Sequence, residues 1–293
     1  MNIAVYLTSY NQRDHLIEAI DSVLAQTRPA SQIIVVDDCS SDDSREVIES
    51  YARRHPGLFV PIMHEQNTGV ARSRIDALHA VNCELVTYLD GDDQFLPNKL
   101  EVEAEALQQA ASAGIAFSNN RYMNNDASRH LWTWVVDEPV PQGDIFFETF
   151  TRQFPRRSLF RMELVRYSHW RDLGFHDPSL PIYEDMDMRI RLTKAISAVY
   201  VDEVTAQIRI NASGLSKLPN EAHFDTLRMV FAKNIGLLAD LSQAERKQAC
   251  QLLGGWIAKV GLRAAFDALK AGEPAQALKY CYNAALIARG YVR

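Results

Sequence analysis

The sequence predicts an α/β fold, a doubly wound, mostly parallel sheet flanked by helices, followed by an all-helical C-terminal extension. Three observations predict it. Short apolar runs rich in β-branched residues alternate with amphipathic stretches from Ile3 to Asp90, as in repeated β-α units. Those runs are apolar throughout, as strands buried on both faces are. From Glu221 onward, apolar residues recur at helical spacing with no strand pattern between them. We expect one unit over 1–220 and a helical region over 221–293.

Ile3-Ala4-Val5-Tyr6-Leu7 predicts the first strand, stopping at Thr8-Ser9-Tyr10-Asn11. Leu16, Ile17, Ile20, Val23 and Leu24 define one helix face, with Asp14 as its expected N-cap and Pro29 as its stop. Ile33-Ile34-Val35-Val36 is a second strand ending in Asp37-Asp38-Cys39-Ser40-Ser41-Asp42, and a helix follows over 44–54. Leu58-Phe59-Val60-Pro61-Ile62 is a third strand, placed at an edge by Pro61. Asn67-Thr68-Gly69 turns into a helix carrying Val70, Ile75, Leu78 and Val81. Leu85-Val86-Thr87-Tyr88-Leu89 is a fourth strand, ending in Asp90-Gly91-Asp92-Asp93, with a helix starting near Pro97.

The middle is less regular. Ile115-Ala116-Phe117-Ser118 and Ser158-Leu159-Phe160 read as strands. Trp132, Trp134, Phe146, Phe147 and Phe150 are either core or a sugar-binding surface, and Arg156 and Arg157 either a solvated edge or acceptor contacts. A turn-rich stretch, Leu173 to Leu180, leads to a helix opened by Glu184 and Asp185, on which Met186, Ile190 and Thr193 share a face. The helix dipole favours those two acids at its start, either as plain caps or as a general base at a helix mouth. Ala198-Val199-Tyr200-Val201 and Thr205-Ala206-Gln207-Ile208-Arg209-Ile210 read as two strands before the polar loop Asn211 to Ser216. Leu227, Val230, Phe231, Ile235 and Leu238 form a first helical stripe; Trp256, Val260, Ala264 and Leu269 a second; Ala277, Leu278, Cys281 and Leu286 a third. Gly272-Glu273-Pro274 separates the last two, in a hairpin that resembles a single tetratricopeptide-type repeat. We expect these helices to serve as a dimer or partner surface, since their stripes exceed what isolated helices can bury.

Right-handed crossovers put the ends of parallel strands on one rim, and ligands bind beyond that rim in open α/β sheets. The rim collects Thr8, Tyr10, Asp37, Asp38, Asp90, Asp92 and Asp93, with Arg72 and Arg74 on the helix between. Three carboxylates at the end of a buried strand repel one another unless a cation or donors settle them. Hard divalent cations take oxygen ligands, and Mg²⁺ combines one or two carboxylates with substrate phosphates. A ring can stack on a base, and arginine binds phosphate bidentately. The rim therefore suits a nucleotide diphosphate with a divalent metal, Mn²⁺ or Mg²⁺. The competing reading is ordinary turn and capping chemistry at each strand end.

Composition narrows the function. The net charge is -6 and no basic tract exists, which excludes a nucleic-acid partner. Cys39, Cys83, Cys250 and Cys281 are scattered without a Cys-x-x-Cys pair, which excludes structural zinc and a disulfide framework and fits a reducing compartment. The start at Met1-Asn2-Ile3 lacks a signal-peptide pattern, and no apolar run is long enough to span a bilayer, so a cytoplasmic protein is expected, peripheral at most at the inner membrane face. In that setting the acceptor sequon Asn211-Ala212-Ser213 carries no weight. No Gly-x-Gly-x-x-Gly follows the first strand and no Walker lysine is present, which argues against a dinucleotide fold and a P-loop NTPase.

Together, Thr8-Ser9-Tyr10-Asn11, Val36-Asp37-Asp38-Cys39-Ser40, Asn67-Thr68-Gly69-Val70-Ala71-Arg72, Leu89-Asp90-Gly91-Asp92-Asp93, Gly174-Phe175-His176, and Glu184-Asp185 with Arg189 and Arg191 resemble a family 2 glycosyltransferase of GT-A type over residues 1–217. The resemblance implies inverting transfer of a sugar from a nucleotide-diphosphate donor, UDP-linked by expectation, to a glycan or lipid-linked acceptor. It implies nucleotide contacts from Thr8, Tyr10, Asp38, Arg72 and Asp90, a metal ligand at Asp92 in a DxD motif, and Asp185 as base. Asp93, Glu184 and Arg209 become acceptor or loop residues. Relatives carry Arg-x-His after the last strand, where this chain has Arg209-Ile210-Asn211, so the closing loop departs from the pattern. Two other readings compete. A sugar nucleotidyltransferase would carry a glycine-rich basic loop after the first strand, which is missing. A non-catalytic nucleotide-sugar binder would not need Asp92 and Asp185.

Overall fold

The computed structural model describes residues 1–210 and 217–288, so the loop containing Asn211 lies outside the described residues. The chain alternates as expected at first: β1 (Ile3–Ser9), α1 (Arg13–Leu24), β2 (Gln32–Asp37), α2 (Ser44–Arg54), β3 (Phe59–Met63), α3 (Val70–His79) and β4 (Leu85–Asp90). These four strands run parallel in the order β3-β2-β1-β4. Their registers place Thr8 beside Asp90, and Ser9 beside Asp37, so three strand ends share one rim. β3 is the sheet edge, which is why Pro61 is tolerated there.

Then follow β5 (Gln94–Phe95), α4 (Lys99–Gln109), β6 (Ala113–Met123), β7 (His130–Thr133), α5 (Phe146–Thr151), β8 (Leu164–Arg166), α6 (Tyr167–Leu173), α7 (Glu184–Ala195) and β9 (Ser197–Arg209). β8 joins β4 and β6 antiparallel, and β9 runs parallel to β6. Among the described residues the sheet has nine strands, mixed in its second half.

Three local expectations are corrected. The N-cap of α1 is Gln12, and Asp14 lies in the first turn paired with Arg13, while the helix ends at Leu24 without help from Pro29. Ser158-Leu159-Phe160 is no strand, because the place between β4 and β6 is taken by Leu164–Arg166. Its apolar residues pack through side chains, with Phe160 stacked on Phe117 at 4.4 Å. The two expected late strands are one strand, β9, whose register against β6 shifts near Ser118 and Asn119 so that Asp202 and Glu203 stay exposed. Leu269, Leu278 and Cys281, on the apolar stripes of the last two helices, are exposed.

The aromatic middle is mainly core: Trp134, Phe146 and Phe150 are buried, and Trp134 donates its indole N–H to the Pro155 carbonyl at 3.1 Å. Beneath the sheet, Lys99 and Glu103 form a buried pair at 2.6 Å, and the Glu103 carboxylate also accepts from Ser118. The helical region comprises α8 (Asn220–Asn234), a 3₁₀ turn (Ile235–Asp240), α9 (Gln243–Lys270) and α10 (Pro274–Ala288). Phe224, Leu227, Val230 and Phe231 of α8 belong to the same continuous core as the strands. Lys233 bonds Asp177 at 2.7 Å and Asp187 at 2.9 Å, fastening α8 to α7. No helix among the described residues is long and apolar enough to cross a membrane.

Candidate active site

The β1 and β2 loops lock together at the rim. Asn11, in the left-handed region at φ 53°, accepts from the Ser41 amide at 2.7 Å, and its own amide donates to Ser40 Oγ at 2.9 Å. Tyr10 is 49% exposed beside this junction, a ring open for stacking. Asp38 faces the turn before α3. Its carboxylate accepts from the Thr68 amide, the Thr68 hydroxyl and the Gly69 amide at 2.8–2.9 Å, and pairs with His64 Nδ1 at 2.8 Å. Burial pushes the Asp38 carboxyl up, but those bonds outweigh it and hold it below the ordinary value. Asp38 thus organises the Asn67-Thr68-Gly69 turn. Arg72, expected on the nucleotide, is exposed and pairs with Asp76 one helical turn on, at 2.9 Å.

Arg74 occupies the central position. It is buried, binds Asp90 at 2.8 Å and Glu184 at 3.3 Å, and lies over the Tyr88 ring at 4.6 Å. One guanidinium thereby joins the end of β4 to the start of α7. Gly91 follows, and its N–H donates to the Thr8 carbonyl at 3.1 Å. A Cβ at Gly91 would stand 2.8 Å from that same oxygen, so the close approach of the two strand ends requires glycine.

Asp92 and Asp93 differ in environment. Burial, then the neighbouring Asp90 charge, pushes the Asp92 carboxyl up. Asp93 is fully buried; burial, then Asp92 and Asp90, push it well above the carboxylate range. It accepts the Arg209 amide at 2.8 Å, while the Arg209 guanidinium donates to the Asp92 carbonyl at 2.7 Å and pairs with Glu18. Asp93 and Arg209 therefore hold the turn against β9. Among the described residues no group of three His, Cys, Asp or Glu side chains is placed to hold a metal ion. The crowded Asp90 and Asp92 carboxylates, whose repulsion a cation would relieve, fit a metal that completes its shell from a diphosphate.

Tyr183, at φ 62°, caps α7. Glu184 is buried, and burial, only partly offset by Arg74, pushes its carboxyl up to about 7. Asp185 is 30% exposed at its side chain and binds Arg189 at 2.6 Å. Burial would raise it, but Arg189, Arg74 and Arg161 outweigh burial and hold it well below the carboxylate range. Arg189 is itself fixed by buried Glu163 at 3.0 Å and donates to the Tyr88 hydroxyl at 2.5 Å. His176 is buried and, through burial and then Arg74, falls to about 3, so it is neutral. Arg191 donates to the carbonyls of Leu173, Gly174 and Phe175 and fixes the turn that carries His176.

The structure thus joins Asp90 to Glu184 through Arg74, sets Thr8 beside Asp90 in register and Asp185 against Arg189, and spends Asp38, Asp93 and Arg209 on loop geometry. Tyr88, Glu163 and Arg161 escaped the sequence reading. Tyr88 lies inside an apolar strand run, and the other two are isolated charges in an irregular segment.

A family model for glycosyl transferase family 2 matches residues 4–167, which run from the second residue of β1 past the end of β8 and include the Asp90-Gly91-Asp92 turn. The chain belongs to glycosyl transferase family 2. TuaG of Bacillus subtilis, whose name assigns it provisionally to teichuronic acid biosynthesis, is 32% identical over 126 residues, 43% of this chain and 49% of that protein. The chain thus spans about half the length of this curated relative. Residues 1–349 of S. aureus TarS in complex with UDP-GlcNAc superpose with TM-score 0.64 at 17% identity, covering 100% of this chain and 93% of that one. The mannosyltransferase PcManGT from Pyrobaculum calidifontis, in complex with GDP-Man and Mn²⁺, superposes with TM-score 0.61 at 18% identity, covering 97% and 80%. These likenesses show the GT-A fold of this family 2 member, including its helical C-terminal region.

Proposed function

We propose that this chain is an inverting glycosyltransferase that moves a sugar from a nucleotide-diphosphate donor, UDP-linked, to a hydroxyl of a glycan or lipid-linked acceptor. The observation that carries the reading is Arg74, which joins Asp90 at the strand ends to Glu184 at the mouth of α7. Donor rim and acidic helix start are thereby walls of one cleft. Tyr10 is open to stack on the base, Thr8 and Asp90 line the ribose side, and Asp38 supports them through the Thr68 turn; Arg72 reaches the nucleotide only by leaving Asp76. Asp92, with Asp90 beside it, would hold Mn²⁺ or Mg²⁺, and such an ion supplies charge neutralisation to the leaving diphosphate.

Asp185 is the base. Glu184 is locked to Arg74, whereas the more exposed Asp185 can meet an acceptor. It takes up the hydroxyl proton as the acceptor oxygen bonds the anomeric carbon and the diphosphate departs with the bonding electrons. The free thiols of Cys39, Cys83, Cys250 and Cys281 support work in the cytoplasm, at the inner membrane face where an acceptor is lipid-linked. Exposed Leu262, Phe266 and Leu269 on α9 support pairing with another chain through the C-terminal helices. Sugar release from UDP-GlcNAc and from GDP-mannose, each with Mn²⁺ and with chelator, tests the reading. Metal-dependent hydrolysis of one donor is expected; no binding and no turnover of any nucleotide sugar would overturn it.

A further inference from the structure

On α7, Arg189 stands one helical turn beyond Asp185. A pair at this spacing on an open helix is weak and mobile. Here the arginine is buried and gripped by two other elements. Glu163, the residue before β8, takes its Nε at 3.0 Å and its Nη2 at 3.1 Å. The Tyr88 hydroxyl on β4 accepts from Nη2 at 2.5 Å. Nη1 is left for Asp185 Oδ2, at 2.6 Å, and Oδ1 of the same carboxylate accepts the Met186 amide at 2.8 Å. A side chain that is 30% exposed is thus anchored at both of its oxygens.

The anchors are themselves fixed. Glu163 is buried, and the Met162 carbonyl just before it accepts from the Thr87 hydroxyl at 2.8 Å and the Lys99 ammonium at 2.7 Å. The Tyr88 ring stacks on Tyr6 at 5.8 Å and lies under Arg74, whose guanidinium holds Asp90 and Glu184. The strand that ends in the donor rim, β4, therefore serves both anchors. Thr87 holds the backbone next to Glu163, and Tyr88 holds Arg189. Two carboxylates, Glu163 and Asp185, share one guanidinium, so the three groups together keep one negative charge, as a base requires.

We propose that Glu163 and Tyr88 are positioning residues for the transfer step: acting through Arg189, they fix the direction of the Asp185 carboxylate relative to the donor rim and leave it charged. The assignment rests on Asp185 being the base, as argued above. Misplacing a reacting group by about 1 Å costs about a hundredfold in rate, so anchors that never touch substrate still govern turnover.

The test measures donor hydrolysis by the full chain with Mn²⁺, and UDP affinity by calorimetry, for single variants and for the same changes added to Asp185→Asn. Tyr88→Phe keeps the ring beneath Arg74 and removes the hydroxyl. Glu163→Gln keeps an acceptor for Arg189 and removes the charge. Each should lower kcat by about tenfold to a hundredfold with UDP affinity unchanged. Added to Asp185→Asn, neither should lower the residual rate further, because both act through the carboxylate that is already gone. An equal loss in both backgrounds, a wild-type rate in either single variant, or a parallel loss of UDP affinity would overturn the positioning alone. A wild-type rate in Asp185→Asn would overturn the base assignment, and the positioning with it. If Glu163→Gln does not fold, Tyr88→Phe carries the test. Independently of turnover, crystals of Tyr88→Phe should show the Asp185 carboxylate in a changed or second rotamer, and the wild-type rotamer alone would also overturn the proposal.

Discussion

The two acids at the start of α7 are adjacent in sequence yet opposite in character. Residues one apart on a helix point about 100° apart, so each met a different surrounding. Glu184 turned inward to Arg74, and Asp185 outward to the cleft with Arg189 behind it. An acid whose native pKa is raised binds its proton more tightly folded than unfolded. Between its ordinary value of 4.5 and about 7, the native state therefore holds more protons, and stability falls as pH rises through that window. Glu184→Gln removes the buried charge and keeps an acceptor for Arg74. It should melt above wild type near pH 8, and the two melting curves should converge near pH 5. A Glu184→Gln protein destabilised equally at both pH values would show that the ionised pair with Arg74 outweighs burial. The DxD neighbours separate in the same way: Asp92→Asn should weaken Mn²⁺-dependent UDP binding more than Asp93→Asn, whose damage should appear in the melting temperature, because Asp93 is bonded to the Arg209 backbone. Calorimetry and thermal melts on both variants check this. Sequence alone named all four acids, but could not tell which carboxylates were already satisfied by backbone amides, since Asp38 and Asp93 find those donors 30 to 116 residues away.

At the scale of the element, the first half of the sheet was legible because each strand and helix is local and strongly patterned. β1 to β4 and α1 to α3 fall where apolar runs and turn residues put them, and Pro61 marked the edge. The second half was less so. β8 is three residues long, too short to show a period, whereas Ser158-Leu159-Phe160 has strand-like composition and no ladder. β9 finds β6 across a long separation in sequence, and no local pattern records that pairing. The turn after β4 offers a sharp test of how closely these elements must approach. Gly91→Ala places a methyl group 2.8 Å from the Thr8 carbonyl oxygen. Overpacking of this kind costs about 1–3 kcal/mol, and here it pushes Asp92 away from the rim. We expect a lower melting temperature together with a loss of UDP affinity; full affinity at a normal melting temperature would mean that the turn has slack.

On the scale of the whole molecule, the helical C-terminal region is integral to the fold. Phe224, Leu227, Val230 and Phe231 complete the core, and Lys233 and Asn234 bond the buried Asp187 of α7. The sequence disclosed these helices and their stripes but not which stripe was covered, because an apolar helix face looks the same whether it meets its own core or another protein. A chain ending at Lys217 should expose that core and aggregate, and a monodisperse truncation in sedimentation experiments would contradict this. The outer stripe of Leu262, Phe266 and Leu269, each more than half exposed, should support self-association that Phe266→Ser weakens.

The proposed reaction turns on Asp185 as the group that accepts the proton. The most direct measurement is hydrolysis of the donor by Asp185→Asn, with water as acceptor, read together with UDP affinity in Mn²⁺. The Asn side chain keeps shape and hydrogen bonding but takes no proton. The expected result is a fall in rate by roughly two to four orders of magnitude with UDP affinity unchanged. Hydrolysis by Asp185→Asn at the wild-type rate would contradict the account.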